Sequence, residues 1–308
     1  MTIPGILLSV VVPTYNYGHL LGRTLDSVLG QLDDECELLV VDDGSTDETP
    51  RLLEAIAAGG SPRVRWLRQD NAGAAAARNA GLRASRGSHV LFLDADDELL
   101  PGALAAICSA FRDDPRATVV LGGRLTRWPD GREKRHSPPR RLDDDPCRRV
   151  AGHLLDKTIS VSHGAVAVAR ELVESRPYPE AFRGREDIPV SAHWLARGRI
   201  KVIDVPLVRI HKHPDSLRHA VKVSEPLERA LADEIFRGLP DECQKLKPSY
   251  LAQRYLALAR AAARTGERSR AKQYLFTALR AAPGQLLARG QLRKLISAWM
   301  RSCRRRPA

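Results

Sequence analysis

Apolar positions along the first 122 residues follow two alternating patterns. Short, nearly continuous apolar runs at residues 7–12, 37–41, 89–93 and 118–121 predict buried strands, and residues 63–67 (RVRWL) predict a further strand. Between them, Leu21, Leu25, Val28 and Leu29 recur at helical spacing and predict an amphipathic helix over about residues 18–31. Ser45 and Glu48, three apart, form a capping-box pattern that opens a second helix reaching about Ala58. An alanine-rich helix over residues 72–85 comes next, and Pro101 heads a fourth that ends near Phe111. Strands alternating with helices at this spacing predict an α/β domain with a mostly parallel sheet. Right-handed crossovers then put the carboxyl ends of the strands on one rim.

That rim carries unusual polar sequence. The first strand runs into Pro13, Thr14, Tyr15 and Asn16, the second into Asp42, Asp43, Gly44 and Ser45, and the fourth into Asp94, Ala95, Asp96 and Asp97. Ligands of open α/β sheets bind outside the carboxyl ends of the strands, and a purely structural sheet has no need of carboxylates at successive ends. Asp94 and Asp96 offer hard oxygen donors suited to Mg²⁺ or Mn²⁺, which in turn hold substrate phosphates. No G-x-G-x-x-G follows the first strand and no G-x-x-x-x-G-K-[ST] occurs, which disfavours a dinucleotide-binding Rossmann domain and a P-loop NTPase.

Four segments in order carry a resemblance. They are residues 9–16 (SVVVPTYN), 40–47 (VVDDGSTD), 71–81 (NAGAAAARNAG) and 91–97 (LFLDADD). Together they resemble the family 2 glycosyltransferases of the GT-A fold. The resemblance implies a nucleotide-sugar donor, with a UDP-sugar favoured, a divalent metal (Mg²⁺ or Mn²⁺) at the Asp-x-Asp, and inversion at the anomeric carbon. Pro13 and Tyr15 would wall the base pocket and Asp43 would meet the base. Arg78 would lie near the nucleotide or diphosphate, Asp94 would face sugar and ribose, and Asp96 would be the main metal ligand. The acid pair Glu186 and Asp187 resembles the family's Glu-Asp motif, making Asp187 the general base. Ile188 and Pro189 depart from the aromatic and acidic residues that usually follow, which bears on the acceptor. The segment from Arg209 to Leu217 resembles the element closing the active site. His213 fits the spacing to Ser216 and is preferred near the metal; His211 fits an Arg-x-His reading. Asn79 braces or caps its loop, and Gly73 and Gly81 allow close helix–sheet packing.

Residues 123–160 read as a hairpin and a loop near the acceptor side, with Pro129, Asp130 and Gly131 as a turn. From about Pro226 the pattern is helical, and residues 255–283 look like one tetratricopeptide-type hairpin, which cannot bury its own face alone. The chain thus divides into a catalytic domain over residues 1–220 and a helical region over residues 221–308. The net charge of +12 sits at the C-terminus, where residues 251–308 hold fourteen Lys and Arg against Glu267 alone. Leu292, Leu295, Ile296, Trp299 and Met300 form a helical stripe among basic residues, which suits an anionic membrane surface and a lipid-linked or other saccharide acceptor. Few aromatic residues interleave with the basic ones, which disfavours nucleic acid. No run approaches the ~20 apolar residues of a membrane-spanning helix. Five dispersed cysteines suggest reduced thiols and a cytoplasmic protein, peripheral at the inner face of the membrane. The alternatives are a nucleotidyltransferase, disfavoured because the turn over residues 13–18 lacks Arg and Lys, and a non-catalytic scaffold using the basic helices.

Overall fold

The computed structural model describes residues 5–213 and 224–284. The strands are β1 (Leu8–Thr14), β2 (Cys36–Asp42), β3 (Val64–Arg68), β4 (His89–Phe92), β5 (Glu98–Leu99), β6 (Val119–Arg127), β7 (Glu133–His136), β8 (Val166–Ala169) and β9 (Ile200–His211). The α-helices are α1 (Gly18–Leu29), α2 (Thr49–Ala57), α3 (Ala74–Ala84), α4 (Ala103–Asp113), α5 (Pro146–Ala151), α6 (Arg170–Glu174), α7 (Asp187–Arg197), α8 (Glu225–Arg237), α9 (Lys247–Arg264) and α10 (Arg268–Ala281). The sheet order is β3-β2-β1-β4-β8-β6-β9-β5, with β7 paired to β6. Ser216 and the basic stripe after residue 291 lie outside the described residues.

β1 to β4 are parallel, as the alternation of strands and helices requires. The sheet departs from this pattern at β8, which inserts antiparallel between β4 and β6. The fifth run read from the sequence, the start of β6, is therefore not the neighbour of β4. Two antiparallel steps restore direction, so β6 and the parallel β9 end on the same rim as β1, β2 and β4.

Both faces of the sheet are covered, which is why its strands read as continuous apolar runs. Successive side chains alternate between faces. Val10, Val12, Leu38, Val40 and Leu91 join Leu21 and Leu25 of α1 and Leu104 and Ile107 of α4. Val11, Val41, Val90 and Phe92 join Ala75, Ala77 and Leu82 of α3 and Val190 and Trp194 of α7. Gly81 lets α3 lie against β1, since a Cβ there would sit 2.3 Å from Val11 Cγ1. Gly73 has a different task. It takes φ +95 just before α3, with no backbone close by.

Three local expectations change. β1 extends through Pro13 to Thr14 and pairs there with β2 alone, because β4 ends its pairing at Phe92 opposite Val11. The Ser45–Glu48 capping box does not form; α2 starts at Thr49, whose N–H donates to Asp47 Oδ1 at 3.0 Å. Pro101 precedes the cap of α4 at Gly102, whose φ of +80 ends the turn. The expected hairpin over the 123–160 region is β6–β7.

The reading of all cysteines as reduced thiols is corrected. Cys147 at the start of α5 is bonded to Cys243, 96 residues away. Cys36 and Cys108 are free and buried, with their sulfurs 3.7 Å apart. The bond lies in a third core cluster, with Val150, Leu154, Ala192, Leu231, Ile235, Phe236 and Tyr250. Packing α8 and the start of α9 onto α5 and α7 is what brings two distant cysteines together, so sequence spacing gave no sign of it. Cysteine usage therefore no longer argues for a reducing compartment. Reduction should cost about 2–4 kcal/mol of stability. A reductant is expected to lower the denaturation midpoint of the wild type but not that of the Cys147→Ser/Cys243→Ser variant. Equal wild-type midpoints with and without reductant would count against the bond. No helix among the described residues is long and apolar enough to cross a membrane.

Candidate active site

The loops after β1 and β2 are tied to each other before they meet any ligand. Asn16, at φ +56, donates its N–H to Ser45 Oγ at 3.0 Å and accepts from the Thr46 N–H at 2.8 Å. Ser45 thus serves the β1 loop and not a helix cap. The Gly18 N–H that opens α1 donates to Asp47 Oδ2 at 3.0 Å. Tyr15 stands at the tip with 44% of its surface exposed, and Pro13 is buried behind it.

The two carboxylates ending β2 are both buried and differ in task. Asp42 accepts from the Ser45 N–H at 2.9 Å and pairs with Arg68 at 3.4 Å, so it closes the turn. Asp43 accepts from Gln69 Nε2 at 2.7 Å and from the N–H groups of Ala72 and Gly73 at 2.9 and 2.7 Å. Three of its roughly four acceptor positions are used in shaping the 69–73 segment.

Across the rim, Arg78 of α3 lies 5% exposed at the centre of an ionic lattice. One arm donates to Glu186 Oε1 and the other to Asp94 Oδ1, both at 2.8 Å. Its guanidinium carbon is 5.4 Å from the centre of the Tyr178 ring. Burial works against the charge, but Asp94, then Tyr178 and Glu186, outweigh it and hold Arg78 above its ordinary pKa. Burial likewise opposes ionisation of Asp94, yet His163 and Arg78 keep its carboxyl well below the usual range.

Asp187 is the first residue of α7 and is exposed. Its carboxylate accepts no hydrogen bond among the described residues. It reaches solvent, yet desolvation by the protein packed around it pushes its pKa up. Glu186 and Asp94 add to the rise, while His163 and Arg78 oppose it. A carboxyl raised in this way is a stronger base than its neighbours.

Asp96 and His213 meet on the same rim, with His213 Nε2 2.7 Å from Asp96 Oδ2. His211 goes elsewhere. Its backbone N–H donates to Asp97 Oδ1 at 3.0 Å, and its ring Nε2 lies 3.2 Å from Glu98. Of the two histidines weighed from the sequence, the fold brings His213 to Asp96. Among the described residues no group of three or more His, Cys, Asp or Glu is arranged to hold a metal. A carboxylate oxygen and an imidazole nitrogen this close nevertheless suit two ligands of a divalent cation whose other ligands are water and substrate phosphate.

The sequence reading missed His163. Its Nδ1 lies 3.4 Å from Asp94 Oδ1, and its Nε2 hydrogen-bonds the Tyr178 hydroxyl at 3.1 Å. It also missed the brace behind the acid pair. Arg185 pairs at 2.6 Å with Glu228 of α8, which is 2% exposed and also pairs with Arg254 of α9 at 2.8 Å. The C-terminal helices thereby hold the segment that carries Asp187. Asn79 clasps the Tyr178 backbone, accepting its N–H at 3.0 Å and donating to its carbonyl at 2.9 Å.

Comparisons with known proteins bear on the family and the fold. The model of the family described as Glycosyl transferase family 2 matches residues 9–175. Chondroitin synthase of Escherichia coli is 39% identical over 108 residues, 35% of this chain and 16% of that protein. The uncharacterized glycosyltransferase YibD of Escherichia coli (strain K12) is 38% identical over 108 residues, 35% of this chain and 31% of its own. The match thus spans less than a third of either relative. The structure of S. aureus TarS 1-349 in complex with UDP-GlcNAc superposes with a TM-score of 0.65 at 20% identity, covering 96% of this chain and 90% of that one. At that identity the likeness concerns the fold.

Proposed function

The chain belongs to glycosyl transferase family 2, and on that premise we propose that it transfers a sugar from a nucleoside diphosphate donor to a saccharide hydroxyl with inversion. The observation that carries this reading is the division of labour along one rim. An exposed carboxyl of raised pKa, Asp187, interacts electrostatically with a buried ionic lattice of Arg78, Asp94 and Glu186, while Asp96 pairs instead with His213. Inversion in one displacement needs a base on the acceptor side that takes the hydroxyl proton as oxygen attacks C1. Asp187 is that base. Arg78 holds the Asp94 and Glu186 carboxyls in place and helps keep Asp94 ionised, and Asp94 faces the donor sugar. Tyr15 and Pro13 wall the base pocket, and Asp43 holds the 69–73 segment that completes it.

Asp96 and His213 would hold a divalent metal, which when bound would neutralise charge on the leaving diphosphate. A UDP-sugar is the favoured donor, since the fold neighbour TarS has been solved with UDP and with UDP-GlcNAc. Relatives bearing the name chondroitin synthase support an acceptor in polysaccharide synthesis, free or lipid-linked. The basic residues after position 285 support attachment to an anionic membrane surface.

Thermal-shift measurements with UDP-, GDP- and dTDP-sugars, with and without Mn²⁺, test the donor reading. A ligand at a hundred times its Kd stabilises by about 2.7 kcal/mol, enough to be read in the melting temperature. The UDP-sugar should raise it most, more so with Mn²⁺, and Asp96→Asn should abolish the Mn²⁺-dependent part. No shift with any nucleotide sugar would overturn the donor assignment; a shift indifferent to Mn²⁺ would overturn the metal.

A further inference from the structure

We propose that a cavity on the rim binds the anionic group, a carboxylate or a phosphate, of the saccharide that accepts the sugar. The inference rests on the glycosyl-transfer reading above. The cavity is about 370 Å³ and is lined by Arg23, Glu98, Arg127, Trp128, His211 and Lys212, among others. That volume lies within the ~300–1,000 Å³ usual for small-molecule sites. Arg127 ends β6, Arg23 comes from α1, and His211 and Lys212 come from the end of β9. It adjoins the donor end of the rim, because Arg23 donates to the Asp96 carbonyl at 2.8 Å.

The ion pairing around this cavity does not close on itself. Two carboxylates, Glu98 and Glu133, face three guanidinium groups, those of Arg23, Arg127 and Arg209. Glu98 lies 2.9 Å from Arg23, 2.8 Å from Arg209 and 3.2 Å from His211. Glu133 is taken by Arg209 at 2.8 Å, while Arg127 stands 3.6 Å away, outside hydrogen-bond range. Arg127 is 48% exposed and is the most weakly held of the three. A guanidinium fork matches a carboxylate or phosphate in two parallel hydrogen bonds.

Trp128 supplies the other half of a sugar site. It is half-buried, with Arg132 5.8 Å from its ring centre. An indole beside arginine groups can pack against the C–H face of a pyranose while the anionic substituent meets the fork. A neutral saccharide would use the ring and leave Arg127 with only its long contact to Glu133.

The test is direct binding, without donor. Isothermal titration of the full chain would compare a glucuronate-containing disaccharide, glycerol 3-phosphate and a neutral disaccharide of the same size. Arg127→Gln and Trp128→Ala sit on the exposed β6–β7 hairpin, where substitution leaves the core intact. The wild type should bind one or both anionic probes more tightly than the neutral one, and which probe binds identifies carboxylate or phosphate. Arg127→Gln should weaken the anionic probe about tenfold or more, as expected on losing a charge-assisted fork, with UDP affinity unchanged. Trp128→Ala should weaken the disaccharide but not glycerol 3-phosphate. Equal binding of anionic and neutral probes, or an Arg127→Gln variant identical to wild type, would overturn the proposal. Competitive displacement of the anionic probe by UDP would also overturn it, by giving the cavity to the donor. Because UDP binding is measured separately, failure of the donor reading shows as a chain that binds no UDP, whatever the disaccharides do.

Discussion

Asp187→Asn is expected to lower glycosyl transfer by about 10²–10⁴-fold, the usual contribution of a positioned general base, with UDP affinity unchanged. The amide keeps the shape of the carboxyl and removes only its ability to accept a proton. In the wild type, kcat/KM should rise with pH through the Asp187 pKa, which burial and its neighbours Glu186 and Asp94 hold above the ordinary carboxylate value. That acid limb should vanish in the variant. The sign of the stability change separates this role from a structural one. A carboxyl whose folded pKa is raised stabilises the fold while protonated, and that contribution is lost as pH rises through the folded pKa. At neutral pH the ionised Asp187 is therefore a burden, and Asp187→Asn should be at least as stable as wild type. If Asp187 served chiefly to favour the N-terminus of α7, the same change would cost about 0.3–1 kcal/mol. Wild-type turnover in the variant, or loss of UDP binding along with transfer, would remove Asp187 from the role of base.

The parallel half of the sheet was legible because both its faces are buried. Continuous apolar runs at β1, β2 and β4 could be nothing but strands once amphipathic helices lay between them, and polar residues at their ends marked the rim. β8 was not legible. Val166–Ala169 is four small residues, too short for periodicity to tell a strand from a helix segment. Missing β8 also meant missing His163. An antiparallel strand beside β4 starts at the rim where β4 ends, so residues just before β8 must lie next to Asp94. The dipeptide His163-Gly164 ahead of a short apolar run was the available signal, and it acquires meaning only with the strand direction. Arg78 shows the converse. The family resemblance put it near the nucleotide or diphosphate, but a lone arginine in an alanine-rich helix cannot reveal that it joins Asp94 to Glu186, which is 108 residues away. The family resemblance gave Asp43 to the base; that its oxygens also accept the N–H groups of Ala72 and Gly73 depends on the path of a loop after β3 that no local pattern reveals.

Removing Arg78 should be the most disruptive single change to the site. Arg78→Ala leaves Glu186, 6% exposed, and Asp94 without the cation they share, close to a third carboxyl at Asp187. Breaking a buried ion pair by deleting one partner costs about 3–5 kcal/mol, because the remaining charge is desolvated and unmatched. Asp94, now held well below the usual carboxylate range, should titrate higher, and the stability it contributes above its unfolded pKa should shrink. Arg78→Lys keeps the charge, but one ammonium cannot reach both acids with the fixed fork of a guanidinium, so it should recover part of the stability and little of the activity. Urea denaturation of Arg78→Ala, the double variant Asp94→Asn/Glu186→Gln and the triple variant gives the coupling. If the lattice is the reason Arg78 matters, the alanine change should cost far less once both acids are neutral amides. An equal cost in both backgrounds would assign the effect to lost packing against Tyr178 and leave the lattice without a share in the stability of the site.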